Sequence, residues 1–400
     1  MRIALAYSGG LDTSVIIPWL KEHYDAEVVA VTANVGQHED FPRLRKKALD
    51  SGAEDIWIPD CRQEFIEQYA WPMVAAHARY EGQYLLGTAI ARPLIAKKLV
   101  EGAAKFGADA VAHGATGKGN DQVRFEVGVM ALNPKLTIIA PWRLWDLKGR
   151  ADEMQYAAEH GVPVDSTPSS PYSRDENLWH VSHEGGVIED PAAPVPADVY
   201  TWTVAPEDAP DTAETVRITF AAGVPVALNG QSVDAITLIE SLNQAGARHG
   251  VGRITMVENR LVGIKSRGVY ETPGGTILYA AHQALTTLVW DRDLAFYMND
   301  LGTRLARLVY DGLWFSPLRE TLLAGVARAN ERVSGVVTVR LFKGQAVAEA
   351  VEQAPYSLYS QELATFESSQ FSHQDAAGFI RLWGLSSQVN GIVSRERVAP

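Results

Sequence analysis

The chain has 400 residues, nearly half of them hydrophobic and about a fifth charged, with a formal net charge of −12 and a single cysteine, Cys61. That length and composition imply two or three domains with sizeable cores and exclude a disordered chain; the acid excess argues against a general nucleic-acid surface, which needs a basic face. The lone cysteine excludes an internal disulfide and reads as a small buried side chain rather than a nucleophile, and with no apolar run of membrane-span length and no signal peptide before the first strand, a cytoplasmic protein without membrane or nucleic-acid partners is expected.

Up to about residue 165, short apolar runs alternate with helical patterns. Ile3–Ala6, Glu27–Ala33, Ile56–Pro59, Ala110–His113 and Thr137–Ala140 read as strands; Thr13–His23, Phe41–Ser51 and Ala89–Phe106 read as helices. This alternation predicts an α/β fold, a parallel sheet with helices on both faces. Ligands bind such sheets at the carboxyl ends of the strands. Polar loops follow Tyr7, Ala33 and His113 there, so one site built from separated pieces is expected. From 163 to 210 prolines crowd the chain and read as an extended connection. A second domain of α+β type follows: hairpins at Val216–Leu228 and Gly335–Val351, and helices at Val233–Ala247, Thr276–Tyr310 and Leu318–Arg332. A last helix, Gln374–Leu385, carries Phe379, Leu382 and Trp383 on one stripe, an arm for another subunit or for its own domain. The expected division is 1–165, 166–360 and 361–400.

The segment Ala6-Tyr7-Ser8-Gly9-Gly10-Leu11-Asp12-Thr13-Ser14 joins a strand to a helix. Its glycines let backbone N–H groups approach an anion, and the helix start adds further unpaired donors. Ser8, Thr13 and Ser14 supply hydroxyls, and Asp12 either caps the helix or holds Mg²⁺. The alternative is an ordinary turn with a good cap; hydroxyls on both sides of the glycines favour phosphate. No lysine follows the glycines, which excludes a P-loop, and the dinucleotide spacing is missing.

This loop resembles the Ser-Gly-Gly-x-Asp-Ser loop of the N-type ATP pyrophosphatases, with Thr13 where many members have serine. Four further motifs occur in order: Tyr84-Leu85-Leu86-Gly87-Thr88 leading into Ala91-Arg92-Pro93, the stretch His113–Glu126, the stretch Ser170–Trp179, and the stretch Lys265–Gly274. With the loop, they are similar over nearly the whole chain to the argininosuccinate synthase family. The resemblance implies an adenine nucleotide α-hydrolase-like domain, a synthetase and oligomerisation domain, and a C-terminal helix in a homotetramer. It implies the ligation of citrulline and aspartate with ATP, through a citrullyl-adenylate, to argininosuccinate, AMP and pyrophosphate in arginine biosynthesis.

What it implies about residues is specific. Ala6, Tyr7, Ser8, Gly9, Gly10, Leu11, Asp12, Thr13, Ser14, Ala33 and Gly114 bind ATP with Mg²⁺, Asp12 and Ser14 among them being catalytic. Thr116, Asn120 and Asp121 bind aspartate. Tyr84, Asn120, Arg124, Ser173, Ser182, Glu258 and Tyr270 bind citrulline. Many members have serine where this chain has Ala89, which leaves open whether Thr88 supplies that hydroxyl. His180 and His183 hint at a zinc pair, but no third ligand of suitable spacing stands nearby, and no structural metal is expected. The rival readings are another ligase on the same loop and a non-catalytic ATP sensor.

Overall fold

The computed structural model describes residues 1–396 apart from 118, 148, 165–171, 368, 369 and 371. In β1 (Arg2–Ala6), Ile3, Ala4 and Leu5 are all fully buried. Side chains alternate across a strand, so burial of consecutive residues demands a layer on each face. Ile3 and Leu5 pack with Val15, Ile16 and Leu20 of α1 (Leu11–Tyr24) and with Leu44 and Ala48 of α2 (Phe41–Asp50). On the other face Ala4 joins Leu99 and Ala103 of α3 (Gly87–Phe106) and Val129 of α4 (Asp121–Leu132). With β2 (Glu27–Val31), β3 (Asp55–Trp57), β4 (Ala110–His113) and β5 (Thr137–Ile139), the sheet runs β3-β2-β1-β4-β5 and every pairing is parallel. The expected parallel sheet covered on both faces is present. Its order reverses at β1, so the crevice for a ligand opens beyond the carboxyl ends of β1 and β4. A further helix, α5 (Arg150–Glu159), follows β5; neither it nor α4 was expected from the sequence.

The proline-rich stretch is more than a connection. It holds β6 (Ser173–Glu176) and β7 (Val181–Glu184), an antiparallel pair. Between them the Asn177 side chain accepts from the N–H groups of Trp179 (2.9 Å) and His180 (3.2 Å), turning Leu178 and Trp179 into the core. Prolines flank these strands without interrupting them. Lys118, Pro168, Ser170 and Pro171, which the sequence reading singled out, lie outside the described residues.

The remaining strands are β8 (Glu214–Ala221), β9 (Val224–Leu228), β10 (Gln231–Ser232), β11 (Arg253–Asn259), β12 (Lys265–Glu271), β13 (Gly335–Phe342) and β14 (Gln345–Glu352). They form antiparallel sheets in the orders β10-β9-β8-β13-β14 and β11-β12-β7-β6. The expected hairpins are both in the first of these. Helices α6 (Ala235–Arg248), α7 (Pro273–Val289), α8 (Arg292–Tyr310) and α9 (Pro317–Asn330) pack with them. The single helix expected over Thr276–Tyr310 is two, because the Asp291 carboxylate caps the second by accepting from the Leu294 N–H at 2.9 Å. Residues Met1–Tyr356 form one compact unit holding these sheets. The chain from Ser357 onward forms a second, with α10 (His373–Trp383) and then α11 (Leu385–Glu396), where only a tail was expected.

Candidate active site

The loop after β1 is shaped by its first glycine. Gly9 has φ +78°, and a Cβ there would lie 2.3 Å from Leu44 Cδ1, so conformation and space both require glycine. The Ser8 and Thr13 hydroxyls share a 3.1 Å hydrogen bond across the turn. Beyond it α1 presents its first N–H groups, which have no partner within the helix. A cavity of about 910 Å³ opens at this point; Ala6, Tyr7, Ser8, Gly10, Leu11, Asp12, Thr13, Ala33 and Gly114 are on its wall. Gly9 and Ser14 support that wall instead. The Gly9 carbonyl accepts from Lys47 Nζ at 2.7 Å, and the fully buried Ser14 shares a 3.1 Å hydrogen bond with the Tyr7 hydroxyl.

Charge around this end comes from other elements. Lys47 of α2, Arg92 of α3 and Arg150 of α5 all line the cavity. The Asp12 carboxylate is hydrogen-bonded to Glu153, whose carboxyl is pushed up to about 8, first by burial and then by Asp12. Glu153 Oε1 is buried with no hydrogen-bond partner among the described residues.

Farther along, the cavity wall includes Asp121, Ser173, Asp175 and Ser182. Arg92 bridges two of these: its Nε donates to Asp121 at 2.8 Å and its Nη2 to Asp175. Arg124 Nη1 takes the other Asp121 oxygen at 3.1 Å. Burial raises both carboxyls; at Asp121 the two arginines outweigh it and the net shift is downward, whereas Asp175 stays raised. Ser182 Oγ donates to the Asp175 carbonyl at 3.4 Å. Thr116 is exposed at the loop after β4 and is not on the cavity wall.

Behind Asp121 lies a buried polar cluster. Tyr84 and Tyr270 rings are 4.5 Å apart, and the Tyr270 hydroxyl donates to Glu258 at 2.9 Å. Register puts Tyr270 opposite Ser182 on neighbouring strands. The Tyr270 phenol lies over Gly268, where a Cβ would be 2.8 Å from the hydroxyl oxygen, which explains a glycine in the middle of β12. Asn120 Nδ2 donates to the Tyr310 hydroxyl at 2.8 Å while its Oδ1 accepts from the Leu261 N–H at 2.9 Å. Arg124 Nε donates to the Tyr310 carbonyl at 3.0 Å. Burial raises the Glu258 carboxyl despite help from the Tyr270 and Tyr310 hydroxyls and the Arg124 charge. Arg124 Nη2 and Glu258 Oε2 are both buried with no hydrogen-bond partner among the described residues.

The neighbouring residues are committed elsewhere. The Thr88 hydroxyl meets His180 Nε2 at 3.1 Å, its N–H donates to the Tyr84 hydroxyl at 3.0 Å, and Ala89 is fully buried. His183 Nε2 bonds Glu271 at 2.9 Å, so the two histidines serve different partners. Burial pushes the Cys61 thiol up to about 12, the behaviour of a packed side chain.

Residues 2–163 match the arginosuccinate synthase N-terminal HUP domain, and residues 172–390 match the arginosuccinate synthase C-terminal domain. An argininosuccinate synthase of Desulfitobacterium hafniense is 54% identical over 396 residues, covering 99% of this chain and 98% of the relative. That of Carboxydothermus hydrogenoformans is 55% identical over 395 residues, 98% of each chain. The chain belongs to the argininosuccinate synthase family. The α/β class, the ATP-using ligase chemistry and the place in arginine biosynthesis expected from the motifs all accord with this family. Sequence reasoning did not single out for the expected site several residues of this argininosuccinate synthase fold that touch it: Lys47, Arg92, Arg150, Glu153, Asp175 and Tyr310. Arg92 stood inside a quoted motif, a signal that was available; Lys47 on a charged helix and Tyr310 at a helix end carry none.

Proposed function

We propose that ATP lies along the cavity with its phosphates on the Ser8–Ser14 loop, that citrulline sits against Tyr84, Asn120, Arg124, Ser173, Ser182, Glu258 and Tyr270, and that aspartate sits against Thr116, Asn120 and Asp121. The observation that carries this reading is the pair of unpartnered buried atoms, Arg124 Nη2 and Glu258 Oε2. Orphaned charged groups in a buried setting are costly. An amino-acid zwitterion relieves both at once, its carboxylate on Arg124 Nη2 and its ammonium on Glu258 Oε2.

The family reaction then follows from placement. The ureido oxygen of citrulline forms a bond to the α-phosphorus as the bond to the bridging oxygen breaks and pyrophosphate leaves with the electron pair. The aspartate amine next attacks the ureido carbon, and AMP departs with the former ureido oxygen. Backbone donors of the loop, with Lys47 and Arg150 lining the cavity, stabilise the charge that develops on pyrophosphate. Ser14 contributes by holding Tyr7 at the wall. Asp12 and the neighbouring Ser8 and Thr13 hydroxyls on the cavity wall are hard oxygen donors of the kind Mg²⁺ takes, and they would hold an ion brought in with the nucleotide. Bound there, the ion neutralises phosphate charge. Orientation of three substrates supplies much of the acceleration.

In this reading residues 1–165 carry the nucleotide, residues 166–360 complete the amino-acid sites and subunit contacts, and residues 361–400 form an arm in a cytoplasmic homotetramer. Phe379, Leu382 and Trp383 of the arm are exposed, which supports an intersubunit role. Deleting the residues after Ser372 is expected to lower the oligomer size on a sizing column; an unchanged elution volume contradicts the arm. For the reaction, the pure protein is incubated with ATP and citrulline, with and without aspartate. Pyrophosphate release at turnover level is expected only with both amino acids, and its absence sinks the reading.

A further inference from the structure

Tyr310 belongs to neither the expected site nor the nucleotide domain, yet it touches several residues of the amino-acid cluster. It closes α8, is 1% exposed, and stands 190 positions from Asn120 and 186 from Arg124. Its contacts are of three kinds. The carbonyl accepts from Arg124 Nε at 3.0 Å. The ring lies under the same guanidinium, 4.8 Å from centroid to Cζ, and stacks on Tyr80 at 3.5 Å with an interplanar angle of 2°. The hydroxyl accepts from Asn120 Nδ2 at 2.8 Å and also interacts with Glu258.

These contacts leave little freedom. With Nε held by the Tyr310 carbonyl and Nη1 by Asp121, Arg124 has Nη2 left to offer. The Asn120 oxygen is taken by the Leu261 N–H, so its amide orientation is decided and its remaining N–H is a donor. The Tyr310 hydroxyl that receives from Asn120 keeps its own hydrogen to donate.

We infer that Tyr310 is the positioning residue of the citrulline site, aligning Asn120, Arg124 and Glu258 through one hydroxyl, one ring face and one carbonyl. This rests on the citrulline reading above. The test is Tyr310→Phe, which keeps ring and carbonyl and removes the hydroxyl, beside Arg124→Lys, with KM for each of the three substrates and the melting temperature measured for both. Tyr310→Phe is expected to raise KM for citrulline about tenfold, with KM for ATP changed by less than about twofold and melting within a few degrees of the parent. If Arg124→Lys raises KM for citrulline and Tyr310→Phe does not, Tyr310 has no positioning role and the citrulline reading stands. If neither variant moves it, the citrulline reading fails and takes this inference with it. If Tyr310→Phe shifts all three KM values together with a large fall in melting temperature, the residue is merely structural and the inference is overturned.

Discussion

The two ends of the site are built by opposite means. The phosphate end is a run of adjacent residues, Ser8 to Ser14, whose hydrogen bonds involving side chains are to one another, to the adjoining Tyr7, and to Lys47 and Glu153 of two neighbouring helices. In the proposed reading main-chain groups at a strand–helix junction do the binding, so glycines and small hydroxyls suffice. The amino-acid end is assembled from side chains on α3, α4, β11, β12 and α8, buried together and bonded to one another. In that reading an anion shared by many ligands falls to local backbone, and a particular amino acid to side chains that only the folded chain brings together.

Substitutions probe this contrast directly, and the largest effect belongs to the phosphate end. Asp12→Ala should lower turnover by about a thousandfold while thermal melting stays near that of the parent, because Asp12 stands on the cavity wall and is not among the buried residues. Near-normal turnover removes Asp12 from the mechanism. At the other end, Arg124→Lys keeps the charge and loses the fork. KM for citrulline should rise about a hundredfold with ATP affinity unchanged, as ligand titration can check; a loss of ATP affinity of similar size means the two ends are not separate. Gly268→Ala is a milder probe of the same end. Its new methyl would meet the Tyr270 hydroxyl oxygen at 2.8 Å and push it from Glu258, raising KM for citrulline about tenfold.

The smallest effect is on stability, in the core that the amino-acid end shares. His77 Nε2 and His282 Nδ1 are 2.8 Å apart, and His282 Nε2 bonds Asn330 at 2.9 Å. Burial lowers His282 from 6.5 to about 4 and puts His77 well below its usual range, where the His282 charge adds to the lowering. Below pH 6.5 the unfolded chain therefore binds protons that the folded chain refuses. Their contribution is complete above that pH and is lost as pH falls toward about 4. Urea denaturation should lose on the order of 1 kcal/mol over the first pH unit below this point, and His282→Gln should flatten the slope.

What could be read from the residues follows the same division. The parallel sheet was legible because β1, β2 and β4 are short apolar runs between helical patterns, and the loop because its chemistry is contiguous. The two antiparallel hairpins of the second half were legible for the same local reason. Helices α4 and α5 and the hairpin of β6 and β7 were not: polar residues that bond the site or each other hide the helical period, and flanking prolines hide the strands. The break before α8 depends on one aspartate, whose cap outweighs a continuous helical pattern on either side.

The residues after β1, by themselves, pointed to a phosphate site here, and the ordered motifs pointed to the family and its reaction. Tertiary structure decided what those motifs could not contain. It delivered Lys47 to the loop that lacks a lysine, placed Arg92 between Asp121 and Asp175, and set Tyr310 beneath Arg124. It also turned Ser14 away from the cavity toward Tyr7. The physical reason is reach. A loop at a helix start acts through backbone groups whose positions follow from neighbouring residues, whereas buried ionic side chains must find partners from distant parts of the chain, and those partners exist only once the sheets and helices have packed.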